Sequence, residues 1–229
     1  MSWRNNIEET LVRVAMALRL PGQWFGPRPD ASALAARSGV LEIEIVSHCW
    51  NYAHMLAYQL SSLVRFAPTR ARVRMTVCHA VEDQATRELL AWFGALQVPG
   101  VVWNWQVLTP GELFRRAIGR HRVSLATQAA WLWFTDCDIV FHRDCLDTLA
   151  DRLQGRRDML AYPKEERVTP MLAADDPRLA ASVGALIDID TREFTLLPNP
   201  PKAKGAYQIV HGDVARQCGY CGSLPVFRG

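Results

Sequence analysis

Two carboxylates stand two residues apart directly after an apolar run. Asp136 and Asp138 follow residues 129–134, whose sequence AAWLWF predicts a buried strand. Acids at positions i and i+2 of an extended segment point to the same side, so this pair can hold one hard cation or divide between a metal and a sugar hydroxyl. Open α/β sheets bind ligands at the carboxyl ends of their strands. The pattern therefore predicts a site for Mn²⁺ or Mg²⁺ at this position.

A nucleotide diphosphate is the ligand that such a metal would serve. A cation held by few protein ligands keeps coordination positions free for phosphate oxygens. The spacing of the acids alone is a weak indication, because two close acids often mark a solvated turn. The apolar strand before the acids and the apolar residues 139–141 after them favour a functional site over such a turn.

A cluster of cationic side chains precedes the acid-bearing strand. Residues 112–122 contain one acid, Glu112, together with Arg115, Arg116, Arg120, His121 and Arg122. Guanidinium groups bind phosphate oxygens in pairs, so we expect this cluster to face the diphosphate. The alternative is a solvated helix face, which is the preferred interpretation for Arg115 and Arg122.

The order of the predicted elements indicates the fold class. Strands predicted by apolar patterning alternate with helices, and the predicted strands are 41–46, 73–78, 101–108 and 129–134, with helices at 52–66, 83–96 and 112–128. The later elements are a helix at 146–153, strands at 158–162, 183–189 and 206–210, a loop at 197–205 and a short helix at 213–217. The alternation predicts an α/β fold with a mostly parallel central sheet and helices on both faces.

The first 38 residues are predicted to be an N-terminal helix and a linker, ahead of one catalytic domain at residues 39–229. The helix, at 1–20, has one apolar face, and Arg13 and Arg19 interrupt its apolar stretch, which excludes a signal peptide. We expect this helix to dock on the domain, and a peripheral contact with the inner face of the membrane is the alternative. The six cysteines then indicate free thiols in a reducing, cytoplasmic compartment.

The composition indicates a globular chain without a nucleic-acid partner. The 229 residues are 49% hydrophobic and 21% charged, which is enough to build a full core. The net charge of +3 is spread over 26 basic and 23 acidic residues. This balance argues against strong, indiscriminate binding to nucleic acid.

Residues 119–138 resemble a known family, the family 2 glycosyltransferases with the A-type (GT-A) fold. The sequences GRHRVSLA at 119–126 and WLWFTDCD at 131–138 are similar to the family's A-R-N-x-G…A…F-L-D-x-D region. Arg120, Asp136 and Asp138 fall on the family's Arg and on its two metal-motif acids without a gap. His121 stands where Asn is usual, and Val123 stands where Gly is usual.

The resemblance extends over residues 42–222. The segment SHCWNY at 47–52 is similar to the family's P-x-Y-N segment, which places Asn51 near the nucleotide. Residues 205–209 and 216–220 are similar to the late acceptor-side strand and the G-G-F loop, with Cys218 in place of the first glycine.

The resemblance implies an inverting, metal-dependent transfer of a sugar from a nucleotide-diphosphate donor to an unknown acceptor. Asp136 and Asp138 would hold Mn²⁺ or Mg²⁺, and the implied nucleotide-sugar-binding residues are Asn51, Asp83, Arg116, Arg120, His121 and Asp136. In the family an acid often ends the second strand, whereas His79 stands there in this sequence. The family's catalytic base belongs to an acidic pair downstream of the G-G-F loop, so we expect the C-terminal part of the domain to be incomplete and leave the base unassigned.

Two alternatives to an active transferase remain open from the sequence. A truncated or degenerate relative would bind a nucleotide without turnover, as the residues at 121 and 218 suggest. A sugar-phosphate nucleotidyltransferase shares a similar sheet and similar metal acids, but it needs a glycine-rich loop after the first strand. Residues 47–51 contain no glycine, which makes this third interpretation the weakest.

Overall fold

The computed structural model of the protein describes residue 14 and residues 29–173, 175–180, 184–199 and 203–220. The predicted N-terminal helix lies outside this part of the chain except for Val14, which is helical and exposed. Most of the predicted linker lies outside it as well. Within the described residues, none of the helices is both long enough and apolar enough to cross a membrane.

Eight strands and six α-helices follow one another along the described chain. The strands are β1 (Leu41–His48), β2 (Ala71–His79), β3 (Val101–Val107), β4 (Trp131–Phe134), β5 (Leu160–Ala161), β6 (Glu165–Val168), β7 (Thr195–Pro198) and β8 (Gln208–His211). The α-helices are α1 (Ala53–Arg65), α2 (Gln84–Gly94), α3 (Pro110–Phe114), α4 (Arg116–Ala126), α5 (Cys145–Leu153) and α6 (Gly212–Cys218). Three 3₁₀ turns add Ala31–Ala33, Pro177–Leu179 and Thr191–Glu193.

Six of the strands form a single, mostly parallel sheet. Its spatial order is β3-β2-β1-β4-β8-β5. The pairs β1–β2, β2–β3 and β1–β4 are parallel, whereas β8 runs antiparallel to both β4 and β5. Parallel neighbours require crossover connections, and here these connections contain the helices.

Helices cover both faces of this sheet, because successive side chains of β1 point to opposite faces and are buried on both. Ile43 and Ile45 belong to a core cluster that includes α1, α2 and α5. Val46, on the opposite face, belongs to a second cluster with Phe134 and with residues of α3, α4 and α6. The predicted α/β fold with a mostly parallel sheet and helices on both faces is therefore confirmed.

One buried carboxylate joins the central strands to the end of α4. Glu44 is 3% exposed and lies on the α4 side of β1. Its two carboxylate oxygens accept hydrogen bonds from the hydroxyls of Thr76 and Thr127, each at 2.6 Å. Because a buried charge is costly unless its lone pairs are satisfied, these two threonines fix Glu44 in place.

The predicted helix at 112–128 is wrong in one respect, because it is two helices. Thr109 and Glu112 form a capping box that begins α3, with Pro110 in its first turn. Arg115 then takes a non-helical conformation with φ −95° and ψ 72°, and α4 begins at the next residue. α4 therefore starts a helical register of its own, in which Arg120 is buried and Arg116 is exposed.

Two predictions for the later chain are also wrong. Residues 184–189 of the predicted strand 183–189 form no strand in the structure. They run along α1 instead, where Ile187 donates its N–H to the Ser61 hydroxyl at 3.1 Å. The predicted loop 197–205 begins inside β7, which pairs with β6 in a separate two-stranded antiparallel sheet.

Gly212 supplies a stability test of the junction between β8 and α6. An added Cβ there would come within 2.1 Å of the Ala129 carbonyl oxygen and 3.0 Å of the Ala130 oxygen. We expect Gly212→Ala to lower the free energy of unfolding by about 1–3 kcal/mol, because backbone must move to relieve this overlap. Urea unfolding followed by circular dichroism measures the change.

Gly111→Ala is the matched control, since it also alters a helical first turn but its new methyl group meets nothing within 4 Å. Equal losses of stability in the two variants would contradict the close contact at Gly212.

Candidate functional site

The carboxyl ends of β1 and β4 meet where the chain order of the sheet reverses. From β1 the chain builds β2 and β3 on one side and then returns to place β4 on the other. A reversal of this kind leaves a crevice outside the strand ends, and open α/β sheets bind their ligands in such a crevice. The loop after His48 and the turn that carries Asp136 and Asp138 both emerge at this edge.

The two acids reach one cavity through a turn. β4 ends at Phe134, and residues 137–138 form a turn, so the extended segment expected for the acids is wrong. Asp136 and Asp138 nevertheless both line a cavity of about 410 Å³. The turn thus brings together the two carboxylates that the sequence assigned to a metal.

Asp136 lies within ion-pair distance of two arginines, whereas Asp138 has no ion pair among the described residues. Arg116 Nη1 lies 2.6 Å from Asp136 Oδ1, and Arg120 Nη2 lies 4.0 Å from the same oxygen. Asp138 is exposed to the cavity, but the surrounding protein still withdraws it from water and so raises its pKa, and the charge of Asp136 adds to that rise. Among the described residues, Asp138 is thus the acid of the two without an ion-pair partner.

Arg120 is an interior residue of the site. It is 5% exposed, and its guanidinium lies over the rings of Phe134 and Tyr220 at 5.4 and 5.3 Å from their centroids. It donates to the Tyr220 hydroxyl at 3.0 Å and to the Gly205 carbonyl at 3.2 Å. Arg120 thus ties the segments at 205 and 220 to the sheet while its charge stays beside Asp136.

His121 contacts the same C-terminal segment. Its Nδ1 accepts a hydrogen bond from the Tyr220 N–H at 3.0 Å. A Cβ on Gly219 would lie 2.4 Å from this nitrogen, so the close approach requires glycine, which also has a positive φ of 63° there. The structure places His121 against residues 219–220, and its Nδ1 is used within the protein.

Asn51 and Asp83 are held together at the far side of the β1 loop. Asp83 is 3% exposed and caps α2 by accepting from the Thr86 N–H at 3.1 Å and the Thr86 hydroxyl at 2.6 Å. It also accepts from the Asn51 N–H at 2.6 Å, and Asn51 takes a positive φ of 52°. The Asp83 carboxylate thereby fixes the loop that follows β1 to the start of α2.

His48 is buried against α4, and the sequence analysis did not predict it as part of the site. It ends β1 and is 8% exposed, and its two ring nitrogens have no hydrogen-bond partner among the described residues. A Cβ on Gly119 of α4 would lie 2.4 Å from its Nε2. Burial lowers the pKa of His48 to about 3, and the charges of Arg120 and Arg116 contribute. The sequence feature that could have indicated this contact is Gly119, a glycine inside an arginine-rich helix.

Three further cavity residues were also missed: Glu166, Lys204 and Tyr207. Glu166 belongs to β6 of the two-stranded sheet. Its side chain is 11% exposed and forms an ion pair with Lys204. Burial raises the pKa of Tyr207 to about 12, and the charges of Glu166 and Asp138 raise it further. A third carboxylate and a tyrosine hydroxyl therefore face the same cavity as the acid turn.

The donor set fits a hard cation that keeps positions free. Among the described residues, no three His, Cys, Asp or Glu side chains are grouped so as to hold a metal together. Asp136 and Asp138 offer carboxylate oxygens, which are the ligands that Mg²⁺ and Mn²⁺ prefer. A cation near these two acids would also relieve the repulsion between them.

The comparisons with known proteins give a distant likeness in structure. No family model matches the sequence, and no curated protein matches it either. Among solved structures, the chain is similar to the apo structure of WbbM, a bifunctional glycosyltransferase, with a TM-score of 0.35 and 14% sequence identity. The match covers 54% of this chain and 22% of WbbM, so the chain spans about a fifth of that protein's length.

The buried His48 predicts a pH dependence of stability. An unfolded chain protonates an imidazole near its ordinary pKa of about 6.5, whereas folded His48 stays neutral down to a pKa of about 3. The stability that depends on neutral His48 is therefore complete above that ordinary pKa and is lost as the pH falls toward the folded value. Between about pH 6 and 5, we expect His48→Gln to remove up to about 1.4 kcal/mol per pH unit of the wild-type slope.

Urea unfolding at the two pH values measures this slope. His142→Gln, which removes an exposed imidazole, is the control and is expected to keep the wild-type slope. Equal slopes for the wild-type chain and His48→Gln would show that His48 takes up its proton without unfolding.

Proposed function

We propose that this chain is a metal-dependent glycosyltransferase that moves a sugar from a nucleotide-diphosphate donor to an acceptor, with inversion at the anomeric carbon. The observation that carries the proposal is the acid turn at the chain reversal. Asp136 and Asp138 line one cavity, and Arg116 and Arg120 lie beside Asp136. Two carboxylates for a cation beside two guanidinium groups for phosphates are the groups that a diphosphate leaving group requires.

Asp136 and Asp138 are the residues that would hold Mn²⁺ or Mg²⁺. When bound, the cation supplies positive charge that stabilises the departing nucleoside diphosphate. Arg116 has a side chain that is 56% exposed, so it can turn from Asp136 to the phosphate oxygens. Arg120 cannot move in this way because it is buried against two rings, and it acts instead as a fixed positive charge.

Asn51 and Asp83 would form the nucleoside end of the site. They stand at the loop after β1 and the start of α2, at the same edge of the sheet as the acid turn. In this conformation Asp83 uses its oxygens within the protein, so we assign it the role of fixing Asn51. His121 would likewise position Tyr220 and, through it, Arg120.

Glu166 is the carboxylate that we assign as the general base. It lines the cavity with Asp138, and its ion pair with Lys204 fixes its position. The acceptor hydroxyl oxygen would attack the anomeric carbon while its proton passes to Glu166. The bond from that carbon to the diphosphate oxygen breaks on the opposite face, which inverts the configuration.

A second candidate function is nucleotide binding without turnover. It is favoured by the pairing of Asp136 with Arg116 and of Glu166 with Lys204, since both acids have cationic partners in this conformation. The two experiments that follow separate the candidates, because one measures binding and the other measures turnover.

Metal-dependent nucleotide binding is the first expectation. Uridine or guanosine diphosphate should bind the chain in the presence of Mn²⁺, and Asp138→Asn should weaken that binding more than tenfold, which is about 1.4 kcal/mol. Isothermal titration calorimetry with and without Mn²⁺ measures both effects. Asp151→Asn, a partly exposed carboxylate on α5, is the control. Nucleotide affinity that is the same without Mn²⁺ would reject the metal-dependent proposal.

Turnover should depend on Glu166. With a panel of nucleotide sugars, we expect Glu166→Gln to lower the release of nucleoside diphosphate by about 10²- to 10⁴-fold, because the base that accepts the proton is gone. Nucleotide affinity should be unchanged. Glu165→Gln changes the exposed neighbour on the same strand and is the matched control. A Glu166→Gln enzyme with the wild-type rate would remove Glu166 from the mechanism and leave the metal site intact.

A further inference from the structure

Cys49 and Cys137 occupy equivalent positions after two neighbouring strands. In the parallel pair β1–β4, Val46 lies opposite Phe134, and each cysteine is the third residue after its member of this pair. The Thr135 N–H continues the ladder by donating to the Val46 carbonyl at 3.0 Å. Neighbouring strands lie about 4.8 Å apart. The two segments thus leave the ladder side by side, and a disulfide requires about 4.4–6.8 Å between the Cα atoms of its cysteines.

The two side chains also face the same side of the sheet. Ile45 and Trp133 are opposite each other and belong to the core cluster on the α1 side. Cys49 and Cys137 belong to the same cluster, with 1% and 7% exposure. The neighbouring Cys137 thiol is the main cause of a lowered pKa of Cys49, and the Cys49 sulfur lies 3.3 Å from the Thr86 hydroxyl oxygen.

Gln59 of α1 fixes both segments around these thiols. Its Oε1 accepts from the Ser47 hydroxyl at 2.7 Å, and its Nε2 donates to the carbonyls of Asp136 at 2.9 Å and Ile139 at 3.1 Å. Gln59 is fully buried, so these bonds are shielded from water. The folded chain therefore holds in place the two segments that carry the sulfurs.

We propose that Cys49 and Cys137 are a redox modification site, at which a peroxide converts the two thiols into a reversible intramolecular disulfide. One sulfur attacks a peroxide oxygen, the O–O bond breaks, and a sulfenic acid and one water form. The second sulfur then attacks the sulfenic sulfur, the S–O bond breaks and a second water leaves. The two thiols lose two electrons in total, and the peroxide gains them.

The small size of a peroxide suits the burial of the pair. Asp136 and Asp138, on either side of Cys137, line the cavity, so the chain segment that carries Cys137 borders the space from which a small oxidant would come. Cys78 is buried on the opposite face of the sheet, and Cys218 is exposed. The disulfide would join the loop after β1 to the acid turn, and its formation does not depend on the proposed sugar transfer.

The test is peptide mapping of the full chain after oxidation. The Cys218→Ser variant is the background, because Cys218 and Cys221 have C-x-x-C spacing and could form a disulfide of their own. The reduced protein is treated with hydrogen peroxide, the remaining thiols are alkylated, and the digest is analysed by mass spectrometry. Before alkylation, the intact mass should fall by two hydrogens. The digest should contain a peptide that links Cys49 to Cys137, and a thiol reductant should reverse both changes.

Two further variants and a stability measurement complete the experiment. Cys49→Ser and Cys137→Ser, each in the same background, should lose the linked peptide. The oxidised background protein should melt several degrees higher than its reduced form, because the cross-link restricts the unfolded chain. Sulfenic or sulfinic acids without a linked peptide, or a link between other cysteines, would overturn the proposal, and the mapping of the background protein decides this even if a serine variant fails to fold.

Discussion

The parallel pairing of β1 with β4 is the constraint on which the candidate site depends. Parallel strands end at the same edge of a sheet, so the loop after His48 and the turn at Asp136 must meet there. On the other side of β4, the antiparallel β8 begins at this edge and runs away from it, and α6 then leads back to Tyr220, which reaches Arg120. The acids, the arginines and the cysteine pair are thus brought together by backbone ladders before any side chain selects a ligand.

Buried polar groups then set which parts of this edge are rigid. Glu44 is satisfied by two threonine hydroxyls from different elements, whereas Arg120 donates to a tyrosine hydroxyl and a carbonyl and its Nε has no hydrogen-bond partner among the described residues. Loss of one partner of a buried charge usually costs about 3–5 kcal/mol, so these contacts resist rearrangement. His48 has no such partners among the described residues and stays neutral instead. The α4 side of the sheet is therefore fixed by the hydrogen bonds of Glu44 and Arg120 beside the uncharged imidazole of His48.

Local patterns predicted the parts of the structure that local physics determines. The alternation of apolar strands and helices up to Phe134 predicted the parallel sheet and placed the acid turn at its carboxyl edge. The two-stranded β6–β7 sheet was missed because its strands are short, mostly exposed and separated by a long connection, which leaves no apolar run to detect. The contacts His48–Gly119 and Glu166–Lys204 were missed for a similar reason, since they join residues far apart in the chain whose types carry no shared signal.

The candidate site also divides into a fixed part and an exchangeable part, which bears on how a ligand could enter it. The Arg116–Asp136 pair is partly exposed on both sides, and pairs of this kind contribute only about 0–1 kcal/mol. A cation on Asp136 and a phosphate on Arg116 could therefore replace it at little cost. Arg120 cannot be released so cheaply, because it is buried and bonded to two segments. A ligand that exchanges Arg116 while Arg120 stays would bind without disturbing the sheet, which is the behaviour expected of a preformed diphosphate site.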